Sequence, residues 1–511
     1  MALPLPPEPR WVKLLDQSRC IGCHACTTAC KSENEVPVGV TRTYVKSVDV
    51  GVFPQVRRAF QVTRCNQCED APCVAACPTQ AMFRREDGIV DFDKGICIGC
   101  KACMAACPYD AIFINPEDHS AEKCNMCAHR LDVGLEPACV TVCPTEAILV
   151  GDLNDPTAKV AQVINREPVQ VRRPEKDTRP GVFYKGAHQA TLDPLAARRP
   201  DGGLFAWATQ GAPDPLLVTS GHPGSGPTVS SAAALLSYDV PHHAPWGWRV
   251  SLYTWTKSVA AGAFAVPAAL AFAGFLPWGN AAARWATPVL SLAFLALTGG
   301  LLVADLKHPE RFYLIFTRRH WRSWLVRGAF ILGGFGGIVA GYLLAALAGA
   351  TGARQVLAAL VLPLAAAAAV YTAYLFAQAK ARDLWQSPLL PPHLAVQAAL
   401  AGAAAMLPLL AWLAPGHAVA ADEVVLAGAA AAHLLLAAGE ITLPHVTAHA
   451  RLAAYELSRG RYRRPFGLSL VFIAVAVTAP WIGTWAVPFA LAGLLAYEHA
   501  YVQAGQSVPL A

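Results

Sequence analysis

The sequence predicts two folds in one chain, an α+β domain at the N-terminus and then an all-α bundle of eight transmembrane helices. Three observations predict it. All sixteen cysteines fall between Cys20 and Cys143. From Lys257 onward, apolar stretches long enough to cross a bilayer recur. A Pro/Gly/Ser-rich stretch lies between the two regions. The division reads as 1–199, a connector at 200–250, and 251–511. With 54% apolar and only 15% charged residues over 511 positions, the chain exceeds one ordinary domain and is more apolar than a soluble one. The formal charge of +6 is modest and no basic stripe interleaves with aromatics, so no nucleic-acid partner is expected.

The cysteines form four runs: CIGCHACTTACK (20–31), CNQCEDAPCVAACP (65–78), CIGCKACMAACP (97–108) and CNMCAHRLDVGLEPACVTVCP (124–144). The first and third have the compact spacing of two, two and three residues. In the second and fourth the middle gap widens to four and eleven. Zinc wants four tetrahedral thiolates, usually from two separated CxxC knuckles. Here a third and a fourth cysteine follow each CxxC. This is the pattern in which three thiolates of a run hold a 4Fe–4S cube and the fourth, ahead of a proline, crosses to a neighbouring cube. Sixteen thiols in a long chain with no secretory or twin-arginine signal read as cluster ligands rather than disulfides. The expectation is a ferredoxin-like domain with four 4Fe–4S clusters.

If the runs pair as two ferredoxin-like units, the crossing rule divides the ligands. Cys65, Cys68 and Cys73 then join Cys107, and Cys97, Cys100 and Cys103 join Cys77. Cys20, Cys23 and Cys26 join Cys143, and Cys124, Cys127 and Cys139 join Cys30. Nothing in the spacing forces the first run onto the fourth. One departure from the pattern is Lys31, where the other runs have Pro78, Pro108 and Pro144. Between the runs, GIVDFD (88–93) and AIFINP (111–116) alternate like short strands. Four clusters in one small domain make a one-electron wire.

The connector, with PDGG, GAPDP and GHPGSGP, reads as a tether over the domain surface. Eight spans follow, at 258–277, 286–304, 325–348, 355–378, 394–413, 424–443, 466–482 and 485–503. Loops on the N-terminal domain's side carry twelve Lys or Arg between Lys307 and Arg464, against Arg284 and Arg354 on the far side. By the positive-inside rule the cysteine domain faces the cytoplasm, which places the chain in the inner membrane. Tyr253, Trp255, Trp321 and Trp324 read as the interfacial belt.

A wire that ends at a membrane needs a lipid-soluble partner, and a quinone takes two electrons and two protons. Ionisable groups near the cluster-facing interface are therefore candidates: Lys257, Asp305, His308 and Glu440, with Glu498 and His499 nearby. Each has a structural alternative. Lys257 can snorkel, Asp305 can pair with Lys307 or Arg311, and Glu440 can bond within the bundle. Haem b needs two facing histidines from different helices. Only His433 is expected deep in a span, with His308, His393, His445 and His449 assigned to loops, so no haem is expected.

The runs, through CIGCHACTTACKSENEVP and PACVTVCPTEAI, resemble the electron-transfer subunit of dimethyl sulfoxide reductase-type molybdoenzymes over about residues 10–190. DLKHPERF, RSWLVRGAF and YEHAYVQAGQSVPL resemble the haem-free quinone-binding anchor of polysulfide reductase. In those families the two parts are usually separate chains. The resemblance implies a third subunit carrying a molybdenum or tungsten bis-pterin cofactor, menaquinone or ubiquinone as the lipid, and the cluster around Cys100 nearest the quinone. Sulfite or another sulfur compound is the implied substrate. The alternative is an ion-translocating, quinone-linked respiratory module with no pterin subunit, which a charged chain reaching the far side of the bilayer would favour.

Overall fold

The computed structural model describes residues 9–200, 216, 218 and 233–511. Most of the expected connector lies outside these residues. Five consecutive buried positions in Trp11–Asp16 place that strand inside a four-stranded sheet. It runs parallel to Val182–Lys185 and antiparallel to Ile148–Asp152, with Val169–Gln170 at the edge. A long hairpin, Thr43–Val52 against Gln55–Arg64, carries Ala234–Tyr238 along its outer edge.

The second and third cysteine runs build two copies of one small unit. In each, a five-residue helix, Pro72–Ala76 or Ala102–Ala106, stops at the fourth cysteine. The next residue, Pro78 or Pro108, cannot continue a helix. A short hairpin follows, Met82–Arg84 with Val90–Phe92 and Ile112–Ile114 with Ala121–Lys123, so both predicted strand segments are strands. In the first run Lys31 replaces the proline, and the helix Ala25–Glu33 passes through Cys30 without stopping. Lys31 Nζ then donates to the carbonyls of Pro37 (2.9 Å) and Val40 (2.5 Å), fastening the loop that leaves the helix.

The second region is helical. We label its main helices α1 (Trp248–Phe272), α2 (Thr287–Asp305), α3 (Trp324–Leu347), α4 (Thr351–Ala377), α5 (Leu390–Leu413), α6 (Gly416–Thr442), α7 (Arg463–Ala476) and α8 (Ala486–Gln506). Among the described residues seven helices are long and apolar enough to cross a membrane, one fewer than the eight expected. The segment expected at 466–482 is the difference. Its helix α7 has 14 residues, and after a break at Val477–Thr478 a four-residue helix begins with Pro480 in its first turn. At 1.5 Å per residue α7 spans about 21 Å, short of a ~30 Å hydrocarbon core.

The cysteine domain rests on the ends of these helices. His308 Nε2 faces the Asp118 carbonyl at 2.9 Å, and the Ser323 hydroxyl donates to the carbonyl of Ala76 at 2.8 Å. The end of α8 and the residues after it are buried in the junction, where Arg382 donates to the carbonyls of Gln506 and Val508 at 2.9 Å each.

Ahead of α1 the chain is held by His242, whose ring nitrogens face Asp110 at 2.7 Å and Asp239 at 3.1 Å. Burial disfavours the imidazolium, but the two carboxylates outweigh it and raise the pKa to about 9. A raised folded-state value gives stability that is complete below the unfolded value of about 6.5 and lost as pH rises through about 9. His242→Gln should therefore cost about 3 kcal/mol at pH 6. In thermal unfolding the gap to the parent should close above pH 9; a gap unchanged from pH 6 to pH 10 would show the ion pairs to be unimportant.

Candidate functional site

All sixteen cysteines are free of disulfides. The fold gathers them into four groups. Cys20 stands beside Cys143 and Cys23, and Cys26 beside Cys20 and Cys23. Cys30 stands beside Cys124, Cys127 and Cys139. Cys68 and Cys73 both neighbour Cys65 and Cys107, while Cys100 and Cys103 both neighbour Cys77 and Cys97. The fold thus sets the first run beside the fourth and the second beside the third, the arrangement on which the proposed division of ligands rests.

Each CxxC turns back on itself through a residue in the left-handed region. That residue is Gly22 (φ 71°), Gln67 (48°), Gly99 (64°) or Met126 (62°), always the one before the second cysteine, joined in the fourth run by Cys127 itself (φ 53°). The turn aims backbone N–H groups at sulfur: Gln67 donates to Cys65 Sγ at 3.5 Å and Gly99 to Cys97 Sγ at 3.4 Å. Met82 to Cys77 (3.4 Å), Ala121 to Cys97 (3.5 Å) and Ala147 to Cys143 (3.2 Å) add to them. At Gly99 a side chain is also excluded by space, because a Cβ there would lie 2.4 Å from Lys307 Cβ.

Three observations test whether these quartets fit a 4Fe–4S group. Cys77, Cys97, Cys100 and Cys103 line one cavity, and Cys20, Cys23, Cys26 and Cys143 line another. Among the described residues no three Cys, His, Asp or Glu side chains converge tightly enough for a single ion. A cube bound at its corners takes wider-set thiolates than mononuclear zinc. Arg64 and Lys13 are each 1% exposed, yet among the described residues no carboxylate pairs with either. Arg64 Nη1 instead donates to Cys139 Sγ at 3.1 Å, with Lys13 Nζ 3.8 Å from the same sulfur. Buried cations without carboxylates suit thiolates around an anionic group. Burial pushes the Cys30, Cys68 and Cys107 thiols up to about 12. At Cys139 burial acts the same way, but Lys13 and Arg64 outweigh it and bring the thiol down to about 7. The residues fit.

The quartets form a row. Cys26 neighbours Cys139, Cys65 neighbours Cys124, and Cys103 neighbours Cys73, which links the four groups end to end. At one end Cys23 is exposed and Ile21 is 58% exposed. At the other end Cys100 opens on a cavity of about 430 Å³ inside the membrane region. Its walls come from α1 (Val250, Tyr253), α2 (Leu295, Gly299, Asp305), α3 (Leu332, Gly336) and α4 (Tyr371, Leu375), with Trp246 above. Trp246 Nε1 donates to the carbonyl of Cys100 at 3.3 Å.

Of the four ionisable candidates, the structure brings Asp305 to this cavity. Its partner is neither Lys307 nor Arg311 but Lys101, between Cys100 and Cys103, at 2.9 Å. Lys257 stands behind the cavity wall, donating to the carbonyl of Ala369 at 2.5 Å with its ammonium 5.1 Å from the Tyr371 ring centroid. Glu498 is its charged neighbour on α8. His308 serves the domain junction, facing Asp118 and Glu310. Glu440 accepts from the Ser387 hydroxyl at 3.0 Å, away from the cavity. The cavity thus lies among α1 to α4. His393 also differs from expectation. It is buried in α5, and its Nε2 lies 3.0 Å from Nδ1 of His433 on α6, with Tyr497 OH 3.4 Å from its other nitrogen. Two histidines from different helices do face each other, but they are hydrogen-bonded directly. Lys101, Trp246 and Tyr371 were not distinguishable in sequence, where only the position of Lys101 inside a cysteine run was a signal, and Tyr253, read there as part of the interfacial belt, is instead a buried wall of the cavity.

A row of thiolate quartets joined to a membrane helical bundle defines the class: a membrane-anchored iron–sulfur electron-transfer protein. Residues 56–153 match the 4Fe–4S dicluster domain, 11–32 a 4Fe–4S binding domain, and 238–495 the family described as polysulphide reductase, NrfD. The protein is 44% identical over 196 residues to the B subunit of tetrathionate reductase from Salmonella typhimurium, covering 38% of this sequence and 78% of that one. It is 43% identical over 171 residues to the B subunit of polysulfide reductase from Wolinella succinogenes (33% and 90%). It is 48% identical over 149 residues to the thiosulfate reductase electron transfer subunit PhsB of Salmonella typhi (29% and 78%). The protein belongs to the polysulphide reductase NrfD family and, through its N-terminal region, to the iron–sulfur subunits of such reductases, fused here in one polypeptide. It is a multi-pass membrane component of an oxidoreductase complex, and it carries electrons.

Proposed function

We propose that this protein passes electrons between a molybdenum or tungsten bis-pterin subunit and membrane menaquinone or ubiquinone, through four 4Fe–4S clusters held by the sixteen cysteines. One observation carries the reading: Cys100 of the last quartet and Asp305 share the wall of one mostly apolar cavity among membrane helices. When bound, the clusters supply one-electron transfer. The polypeptide does the rest. Leu295, Leu302, Leu332 and Leu375 exclude water around an apolar ring system, and Asp305 is placed to hold a proton at its carboxylate. Lys101 fixes that carboxylate and ties it to the cluster domain.

The row gives the protein two functional ends. The partner subunit meets the exposed end at Cys23, and the quinone meets Cys100. The relatives' names, tetrathionate, polysulfide and thiosulfate reductase, favour a sulfur compound as the partner's substrate. Loop charge favours a cytoplasmic cluster domain at the inner membrane, with eight crossings if α7 completes one of them; a C-terminal reporter active only in the periplasm would reverse this. The ion-translocating alternative has less support. On α6, His433 and Glu440 are separated from the buried Asp422 by a stretch that includes the buried Leu426 and Ala430. The step from Asp422 to His433 is about 16 Å along the helix.

The test is chemical analysis of the anaerobically purified complex. About sixteen iron and sixteen sulfide per polypeptide, with a pterin-containing large subunit, are expected. Zinc in place of iron, or a complex with no such subunit, would overturn the reading.

A further inference from the structure

The row of quartets is not electrostatically uniform. Lys13 and Arg64 both converge on one sulfur, Cys139 Sγ, at 3.8 and 3.1 Å. Neither is solvated, each being 1% exposed, and Nε and Nη2 of Arg64 have no hydrogen-bond partner. Arg64 also has Cys124 and Cys26 as neighbours, so its guanidinium stands near cysteines of the first two quartets. Asn34 Nδ2 adds weak contacts to Cys30 Sγ (3.7 Å) and Cys127 Sγ (3.8 Å). At the membrane end the situation is reversed. The cation beside Cys100 is Lys101, and Asp305 at 2.9 Å neutralises it.

Reduction of a cluster adds one electron and no compensating charge, so a fixed positive charge nearby stabilises the reduced form and raises the potential. Burial keeps that charge from being screened by water and salt. Resting on the four-cluster reading above, we propose that Arg64, assisted by Lys13, sets the highest reduction potential in the wire at the quartet Cys30, Cys124, Cys127 and Cys139. The electron then rests one position in from the exposed end, away from the quinone cavity. Arg64 acts here as a positioning residue for charge and touches no substrate.

The experiment is an anaerobic potentiometric titration of the whole complex, read by electron paramagnetic resonance, for the parent and for Arg64→Gln, Arg64→Lys and Lys13→Gln. The highest of the four midpoints should move to more negative potential in Arg64→Gln and, by a smaller amount, in Lys13→Gln. Arg64→Lys should retain most of the parent value. A full iron complement with that midpoint unmoved in Arg64→Gln overturns the inference, as does a shift confined to one of the lower midpoints. If Arg64→Gln fails to load iron, Lys13→Gln decides by the same criterion. A parent preparation well short of about sixteen iron would instead overturn the four-cluster reading itself.

Discussion

Cys100→Ala should remove about four of about sixteen iron and abolish electron exchange with quinone, while the remaining three quartets stay loaded. The expectation follows from position. Cys100 belongs to the last quartet of the row, and it is the cysteine that lines the membrane cavity. The other quartets have separate ligands and their own helices and N–H···S bonds, so nothing in their geometry requires the last one. Turnover of the partner's substrate with an artificial dye should persist, because a dye can exchange electrons with the partner subunit or the three remaining clusters without using the last quartet. Loss of all iron would mean that the domain folds only as a unit. Normal quinone exchange in a variant lacking that cluster would mean that electrons leave elsewhere.

Asp305→Asn should slow quinone-linked turnover about 100-fold, the usual order for removing a positioned proton-transfer group. Iron content and dye-linked turnover should not change. The substitution keeps the side chain's size, and the amide oxygen can still accept from Lys101, so the domain junction should hold. The new cost is a buried ammonium left without its countercharge, with Lys101 only 12% exposed at its side chain. Lys101→Met with Asp305→Asn should therefore recover assembly if Asp305→Asn alone loosens it, without recovering the rate. If both variants exchange electrons with quinone at the parent rate, Asp305 is a structural anchor of the domain interface and nothing more.

The N-terminal half was legible to an unusual degree because its information is local. The spacing of the four cysteine runs marks them as cluster ligands while leaving open which runs pair, and the prolines after Cys77 and Cys107 set the helix ends. Lys31 was read only as a departure from the pattern; the structure shows its consequence, a helix that continues past Cys30. The membrane half was legible only as lengths. Composition gave the spans but not the break near Pro480, because an apolar stretch reads the same whether it is one helix or two. It also could not say which helices surround the cavity. That depends on packing faces, and a span apolar on every side shows no face. His393 was misplaced for a related reason: PPH at the start of α5 reads as a loop, whereas Pro391 and Pro392 occupy the first helical turn, where proline is tolerated. Lys101 and Asp305 are 204 residues apart, and no spacing rule joins them. The cations at Cys139 were equally hidden, since Lys13 and Arg64 sit on strands that only the sheet and hairpin bring together.

The proposed movement of electrons between the thiolate quartets and a quinone at the Cys100 cavity can be followed directly. It is tested most directly by mixing the anaerobically reduced complex with a short-chain quinone in a stopped-flow instrument and following the iron–sulfur absorbance. The clusters should return to their oxidised spectrum in the parent, about 100-fold more slowly in Asp305→Asn, and not at all in Cys100→Ala. Clusters that stay reduced in the parent, or reoxidise at the parent rate in Cys100→Ala, would contradict it.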